Sequence, residues 1–392
     1  SDPNSWHNQF YSLVTTKLDE EIFKPLFPEG KKSGRPNASI RILVAMSVLK
    51  EGFGCSDEDL FEKCEFDLLT RKALGMELLT DVTPSIDTYY LFRRRICEYQ
   101  ERTGFDLMQL CFEQLAGKHV HLLKISGKCV RMDSKLIGSN IARQSRYELI
   151  HTTLVKFLKT CTLTHLSPEQ EERAKEYLKE DSSKTVYRSD SDTLQSNLAR
   201  IGNFIMEMLA AFPATSPAHD LLQRLFDEQY VVMDGKAVLR DKKEVKADSL
   251  QNPNDPDATY RAKNDQKVQG YVTNITETVE EGKPNIITSV QVETAVFADC
   301  HFLQEAVENS ERVTDSTIED LYADGAYQSP DNREFAKNHN AMQLKTGKMQ
   351  GGCRWELIPH DEDGLTVREI ATGNTYEAVK AVTKQGSRKR WR

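Results

Sequence analysis

The sequence predicts an α/β protein in which a helical insertion interrupts a sheet and an all-helical region precedes it. Three observations lead to this prediction. Residues 1–125 carry helical patterns with cap residues and tight turns. Apolar, strand-like runs then lead into two aspartates, Asp133 and Asp324. Between these runs, residues 141–232 return to helical patterns, and a sheet remains when that block is set aside.

The clearest helix of the N-terminal region is 39–50, which is apolar nearly all round, as a buried helix is. Ser56 suits the N-cap of a second helix, with Asp59 at the capping-box position. Ser85 can cap a third helix, and 104–117 indicates one more. Short helices joined by tight turns fit a helix-turn-helix-like DNA-binding domain. A plain helical domain also fits them.

A strand follows the N-terminal region, with Val130 and Met132 ahead of Asp133. The helical block comes next. One of its helices has strong start signals, because Ser167 suits the N-cap and Gln170 stands three residues later. This block therefore separates the first strand of the predicted sheet from the rest.

The second half of the chain returns to strands. Residues 233–267 are polar and irregular, and within them 249–266 is rich in Asn, Asp and Pro, so we expect a loop there. Two β-rich runs, 267–279 and 285–296, are predicted to form a hairpin. A helix, the strand that ends at Asp324, another helix and a short strand follow. Residues 354–383 alternate in polarity and indicate β hairpins, although the YEAVKAV segment could form a helical turn.

Composition restricts the class of protein. The chain has 392 residues, 39% hydrophobic and 29% charged, as in ordinary globular proteins, and its length suggests more than one domain. No apolar run reaches the length of a membrane helix, and the N-terminus lacks a secretory pattern. The eight cysteines contain no C-x-x-C pair, so a zinc ribbon is not expected. We expect a cytoplasmic protein with no membrane partner.

The net charge of −8 argues against a surface that is uniformly basic for nucleic acid. Two local basic runs stand out, Arg93-Arg94-Arg95 and the segment 384–392. Runs of this kind are usually solvated faces. Contact with DNA phosphates is the alternative interpretation.

The two aspartates carry the predicted chemistry. An Asp before Gly, as at Asp324, is most simply a turn residue. In open α/β sheets, however, functional groups gather at the carboxyl ends of strands. Carboxylates suit Mg²⁺ or Mn²⁺, and two such ions can activate an attacking oxygen and stabilise a leaving oxygen in phosphodiester chemistry. The order of elements therefore predicts a metal site with Asp133 and Asp324.

Several segments point to one family when they are taken in order. SDEDL, FDLLTR and PSIDTYYLFRRRI lie in the helical region, and NPNDPDATYRAKNDQKVQGY lies before the hairpin. RMDSKLIGSNIAR and YADGAYQSPDN contain the two aspartates. Together they resemble the corresponding segments of a DDE transposase of a bacterial insertion sequence, which has an RNase H-like catalytic core. The family's last segment has A-D-x-G-Y order, whereas this chain has D-G-A-Y.

The resemblance implies a fold and a domain arrangement. Residues 1–125 would be a helical, DNA-binding domain, and 126–392 an RNase H-like α/β core. That core would carry the helical insertion at about 141–232 and a β-rich segment at about 350–385. It would be truncated before its third catalytic acid.

The resemblance also assigns roles. Asp133 would be the first catalytic carboxylate and Asp324 the second, and the complete site would hold two Mg²⁺ or Mn²⁺ ions. The family's third acid is a Glu on a later helix. Glu356, Glu369 and Glu377 lie in stretches that indicate strands or turns, so the third acid stays unassigned.

The implied function is Mg²⁺-dependent DNA cleavage and strand transfer at insertion-sequence ends, in the bacterial cytoplasm and nucleoid. The partners would be DNA and further copies of the chain, as a homodimer or larger oligomer. Two alternatives remain open: an RNase H-like nuclease that cuts without joining, and a catalytically incomplete DNA-binding remnant. The candidate DNA contacts are Arg93, Arg94, Arg95, Lys263, Lys267, Arg388, Lys389 and Arg390, with Tyr271 as a weaker candidate.

Overall fold

The structure is a computed structural model, and it describes residues 2–27, 38–214, 216–263, 266–346, 355–359, 364–369, 373–381 and 390–391. The chain divides into two compact units, and three of the four boundaries between them fall inside strands. The first unit comprises Ser1–Met132, Ile275–Val290 and Leu303–Arg392. The second unit comprises Asp133–Asn274 and Gln291–Phe302.

The first unit begins with six α-helices whose ends follow local sequence signals. The Ser39, Ser56 and Ser85 side chains each accept a hydrogen bond from a first-turn N–H, and Ser56 forms the predicted capping box with Asp59. Gly54 ends the second helix at a φ of +61°, which favours glycine. The helices are α1 Trp6–Leu13, α2 Ile40–Phe53, α3 Asp57–Phe66, α4 Leu68–Ala73, α5 Ile86–Thr103 and α6 Leu107–Leu123.

These helices enclose an apolar core that includes Phe23, Met46, Leu60 and Tyr89, all fully buried. Arg71 of α4 is buried as well. Its guanidinium donates hydrogen bonds to the carbonyl oxygens of Cys64, Leu78 and Asp81. This arginine therefore satisfies backbone acceptors inside the helical region.

The second unit contains five further helices: α7 Arg146–Leu158, α8 Pro168–Lys179, α9 Ser182–Arg188, α10 Ser191–Ala211 and α11 Pro217–Gln229. Ser167 and Gln170 form the capping box that their spacing predicts. The helices pack around Ile150, Ile201, Phe204 and other fully buried apolar side chains. They thus have a hydrophobic core of their own.

The strands are β1 Cys129–Gly138, β2 Tyr230–Met233, β3 Lys236–Leu239, β4 Thr259–Lys263, β5 Gln266–Thr278, β6 Ile287–Thr294, β7 Asp320–Ala323, β8 Gln343–Thr346, β9 Trp355–Pro359, β10 Gly364–Glu369, β11 Thr375–Ala381 and β12 Arg390–Trp391. Two helices, α12 Leu303–Thr314 and α13 Pro330–Asn338, lie on either side of β7 in the chain.

The largest sheet is mixed. Its order is β4-β5-β1-β7-β8, and β6 also pairs with β5. β7 runs parallel to β1, and β8 runs parallel to β7. β5 is antiparallel to β1, because Val279 N–H bonds to Cys129 at one end and Ser139 N–H bonds to Gln269 at the other. β9 to β12 form a separate four-stranded sheet, and β2 and β3 form a hairpin.

Parts of the sequence-based assignment were wrong. Residues 249–266, expected to be a loop, contain β4, and β3 lies in the stretch 233–267 that was expected to be irregular. β4 is short and follows a run of Asn, Asp and Pro, and its pairing with β5 is a tertiary contact that local pattern does not reveal. Residues 376–381 of the YEAVKAV segment belong to β11, so the helical alternative is excluded for them.

Candidate functional site

One predicted aspartate lies within β1, and the other directly follows β7, the parallel neighbour of β1. In β1 and β7, Val130 pairs with Leu321 and Arg131 with Tyr322. Asp133 lies two residues beyond Arg131 within β1, and Asp324 lies two residues beyond Tyr322, directly after β7. Side chains alternate between the faces of a strand. Asp133 therefore shares a face of β1 with Arg131.

Asp133 opens the second unit and is exposed at the position where the buried part of β1 ends. Val130 and Met132 point to the opposite face and are buried. The Oδ1 atom of Asp133 accepts a hydrogen bond from the N–H of Ser134 at 2.8 Å. One oxygen of the carboxylate is therefore fixed by the backbone.

Asp324 belongs to the first unit and is half-buried. It is the N-cap of a 3-10 turn, Gly325–Tyr327, and its Oδ1 accepts a hydrogen bond from the N–H of Ala326 at 2.6 Å. Tyr327 is fully buried, and its carbonyl oxygen accepts a hydrogen bond from the Asn332 side chain at 2.7 Å. The turn interpretation of Asp324 is therefore correct for the backbone, and it holds the carboxylate in place.

Within the first unit, ion pairs and hydrogen bonds link the strands at residues that precede the two aspartates in the chain. Arg131 of β1 forms an ion pair with Glu277 of β5. Lys345 of β8 forms an ion pair with Asp320 at 2.8 Å and donates a hydrogen bond to the Tyr322 hydroxyl at 3.3 Å. Burial lowers the pKa of Lys345, but its bonds to Asp320 and Tyr322 outweigh this effect, so the pKa lies above its usual value. These cations are neutralised by carboxylates.

The third acid is not identified. Glu356, Glu369 and Glu377 lie on β9, β10 and β11 of the four-stranded sheet. Glu377 is exposed and accepts a hydrogen bond from the Thr366 hydroxyl at 3.0 Å. Over the described ranges, no three His, Cys, Asp or Glu side chains are grouped so as to hold a metal ion.

The arginine triplet of α5 has partners within the first unit. Arg93 lies 3.9 Å from a carboxylate oxygen of Asp57 and stacks over the Tyr89 ring. Arg94 forms a helical ion pair with Glu98 at 3.5 Å. The third arginine of the triplet, Arg95, packs over the ring of Phe27. Arg93 and Arg94 are nevertheless exposed, so DNA contact stays a prediction.

The other predicted DNA contacts are scattered. Lys263 ends β4, where only the backbone is described. Lys267 is exposed in β5, and its carbonyl oxygen accepts a hydrogen bond from Arg143 at 2.9 Å. Arg388 and Lys389 lie outside the described residues, and Arg390 lies in β12, again with only its backbone described.

Sequence reasoning missed Lys135. It lies two residues beyond Asp133 in β1, on the same face, and it is exposed. In the described part of the chain, no carboxylate lies within ion-pair distance of Lys135, in contrast to Arg131. The alternation Arg131, Asp133, Lys135 could have revealed it as a cation beside the first aspartate.

Sequence reasoning also missed the role of Asp255 in the NPNDPDA segment. Its carboxylate accepts hydrogen bonds from the hydroxyls of Ser139 and Tyr271. Burial and the bond to Asp255 raise the pKa of Tyr271 well above its usual value. Tyr271 was predicted as a weaker DNA contact; its hydroxyl donates to this carboxylate, and DNA contact by Tyr271 stays a prediction.

Comparison with known proteins gives one result. Neither curated proteins nor solved structures provide a match to the chain. Among the helices that the structure describes, none combines the length and the apolar character needed to span a bilayer. Residues 2–95, which run from before α1 to the arginine triplet of α5, match the model of a family described as Transposase domain (DUF772), and this match supports a transposase role for the chain.

Proposed function

We propose that the protein is a DDE transposase of a bacterial insertion sequence, which cleaves DNA at the ends of the element and transfers the freed strand to target DNA. One observation carries this proposal. The family resemblance singles out two aspartates on neighbouring parallel strands. Asp133 follows the buried part of β1, and Asp324 follows the buried strand β7. The transposase-domain match at 2–95 supports it independently.

The mixed sheet supports the proposal that these strands belong to an RNase H-like core. The parallel pair β1 and β7 stands at its centre. Asp133 follows the buried part of β1, and Asp324 directly follows β7 at its carboxyl end. This is the edge at which open α/β sheets hold their ligands. The fold alone would not establish the chemistry.

The donor set suits Mg²⁺ or Mn²⁺. Magnesium is commonly held by one or two protein carboxylates together with substrate phosphate oxygens. In Asp133 and Asp324, Oδ1 is held by a backbone N–H, and we propose Oδ2 of each as the metal ligand. When bound, the ions would supply an activated oxygen nucleophile and stabilise the leaving oxygen.

Of the cations near the aspartates in the sequence or on the neighbouring strand, two are neutralised by carboxylates of the described residues and one is not. Glu277 neutralises Arg131, and Asp320 neutralises Lys345, so these cations do not compete with metal ions for the aspartates. Lys135 has no such partner in the described ranges and would meet a DNA phosphate. Hydrolysis would free a 3′-hydroxyl, and that hydroxyl would attack target DNA without a covalent enzyme intermediate. A homodimer or larger oligomer would hold the two DNA ends.

Substitution of the two aspartates tests the proposal. With DNA that carries the ends of the encoding element, Asp133→Asn and Asp324→Asn should each reduce Mg²⁺-dependent cleavage about a hundredfold or more, because metal ligands contribute several kcal/mol at the transition state. Both variants should also lose heat of Mn²⁺ binding in calorimetry. Asp192→Asn, at an exposed position of α10, is the matched control and should cleave normally.

The products distinguish the proposal from its alternatives. Joined donor–target DNA supports the transposase, whereas cleavage without joined products would identify a nuclease. An unmodified chain that binds DNA but does not cleave it with Mg²⁺ or Mn²⁺ would identify a catalytically incomplete protein. Undiminished cleavage by either aspartate variant would refute the assignment of the site.

A further inference from the structure

The segment 248–258, between β3 and β4, connects the end of β1 to the helices of the second unit. We propose that this segment is a positioning device, in which Asp255 holds the strand end that follows Asp133 in a fixed place. Its effect on catalysis rests on the proposed function, but the contacts themselves do not. We call the three hydrogen-bonded residues Asp255, Ser139 and Tyr271 the Asp255 clamp.

Asp255 bridges two strands with one carboxylate. Its Oδ2 accepts the hydroxyl of Ser139, the first residue after β1, and its Oδ1 accepts the hydroxyl of Tyr271 in β5. Hydrogen bonds to an ionised acceptor are stronger than neutral ones. Because both oxygens are used in this way, Asp255 acts as a positioning residue and is not proposed as a metal ligand.

Neighbouring contacts hold the same strand end. Ser139 N–H donates to the Gln269 carbonyl at 2.9 Å, and the Gln269 side chain donates to Gln251 at 3.0 Å. Asn252, which is almost fully buried, donates from its side chain to the carbonyl of Ala142 at 3.2 Å. The segment therefore contacts this part of the chain at Ser139 and again at Ala142.

The helices hold this segment from its other side. Lys156 of α7 donates to the carbonyl of Pro253. Arg224 of α11 donates to the carbonyls of Pro256 and Asp248, at 2.9 and 3.1 Å. These bonds give the polar segment fixed partners on α7 and α11.

The arrangement makes the position of the β1 end depend on the helical insertion. Asp133 lies in β1, six residues before Ser139, and Ser139 directly follows the end of this strand, so the clamp fixes the end of the strand that carries Asp133. Small displacements of a catalytic group reduce rates strongly. The NPNDPDA…GY segment, which resembles that of the family, therefore positions the end of β1, and this role is separate from contact with DNA.

Hydrogen exchange on the full chain tests the clamp directly. Tyr271→Phe and Ser139→Ala should each speed amide exchange in 134–143 about tenfold, because each removes a hydrogen bond to a carboxylate. Exchange in the cores of α7 and α10 should be unchanged. Tyr187→Phe is the matched control, since Tyr187 is 90% exposed on α9.

Catalysis gives the second measurement. Tyr271→Phe should lower kcat for cleavage about tenfold and leave KM for DNA unchanged, whereas loss of general stability would speed exchange throughout the second unit. Exchange that rises uniformly, or does not rise at 134–143, would overturn the clamp. If Asp133→Asn cleaves normally while the local exchange effect is present, the proposed function fails and the clamp stands.

Discussion

Asp324 shows how one residue serves both local structure and a candidate site. It caps the turn at Gly325–Tyr327 with one oxygen, as its Asp-Gly sequence indicates. Its place after a buried strand is also visible in the sequence. Asp255 is different, because its partners Ser139 and Tyr271 stand 116 and 16 positions away. Local pattern identifies residues at strand ends, but it does not identify hydrogen bonds made across the fold.

Lys135 provides a test at this scale. Lys135→Gln should weaken DNA binding and reduce the slope of log affinity against log salt by about 1, because one phosphate contact is lost. Lys135→Arg should keep the slope, since the charge is retained. Fluorescence anisotropy at several salt concentrations measures both quantities.

The control for Lys135 is Lys175→Gln, which removes an exposed lysine that pairs with Glu171 on α8. This variant should bind DNA with the same salt dependence as the unmodified chain. An unchanged slope for Lys135→Gln would exclude Lys135 from the DNA contact.

Among the elements, helices were predicted better than strands. The capping boxes at Ser56 and Ser167 are local signals, since each bond joins residues three apart. β4 and β11 depend on partner strands that local sequence does not specify. Whole helices were therefore visible in the sequence, whereas strand order became evident only in the folded sheet.

The junction of β5 with β1 supplies the prediction at this scale. A Cβ at Gly270 would lie 2.2 Å from the carbonyl oxygen of Ile137 and 2.5 Å from the nitrogen of Ser139, both backbone atoms. Gly270→Ala should therefore separate the two strands and destabilise the fold by about 3 kcal/mol or more. Urea unfolding followed by circular dichroism measures this change.

Gly138→Ala, at the end of β1, is the control, because a Cβ there would meet nothing within 4 Å. It should change the unfolding free energy by less than about 1 kcal/mol. Equal effects of the two substitutions would show that the close approach at Gly270 does not limit stability.

At the scale of the whole molecule, the net charge of −8 does not by itself indicate DNA binding. The charges that bear on it are distributed unevenly: Arg131 and Lys345 are neutralised, whereas Lys135 has no ion-pair partner within the described ranges. Composition could not predict this distribution, because pairing depends on the folded sheet. Composition likewise could not predict which side chains have shifted pKa values, because burial also depends on the fold.

The stability of the whole chain should depend on His151. This buried residue of α7 hydrogen-bonds to the Tyr177 carbonyl, and burial lowers its pKa despite the nearby Glu180. The unfolded chain then binds more protons below about pH 6.5, so stability falls as pH falls, by up to about 1.4 kcal/mol per pH unit. Urea unfolding between pH 5 and 7 should show a weaker pH dependence in His151→Gln.

The control is His165→Gln, at an exposed position, which should leave the pH dependence unchanged. A pH dependence that is the same in the unmodified chain and in His151→Gln would exclude His151 as the source.

The pairing of β1 with β7 has a consequence for synthesis of the chain. Cys129 pairs with Asp320, which the ribosome adds 191 residues later. At about 5–20 residues per second, this interval lasts roughly 10–40 s. A nascent chain holds Asp133 throughout that time without the strand that leads to Asp324. Translation would therefore delay the appearance of the proposed metal-binding pair until Asp324 has been added.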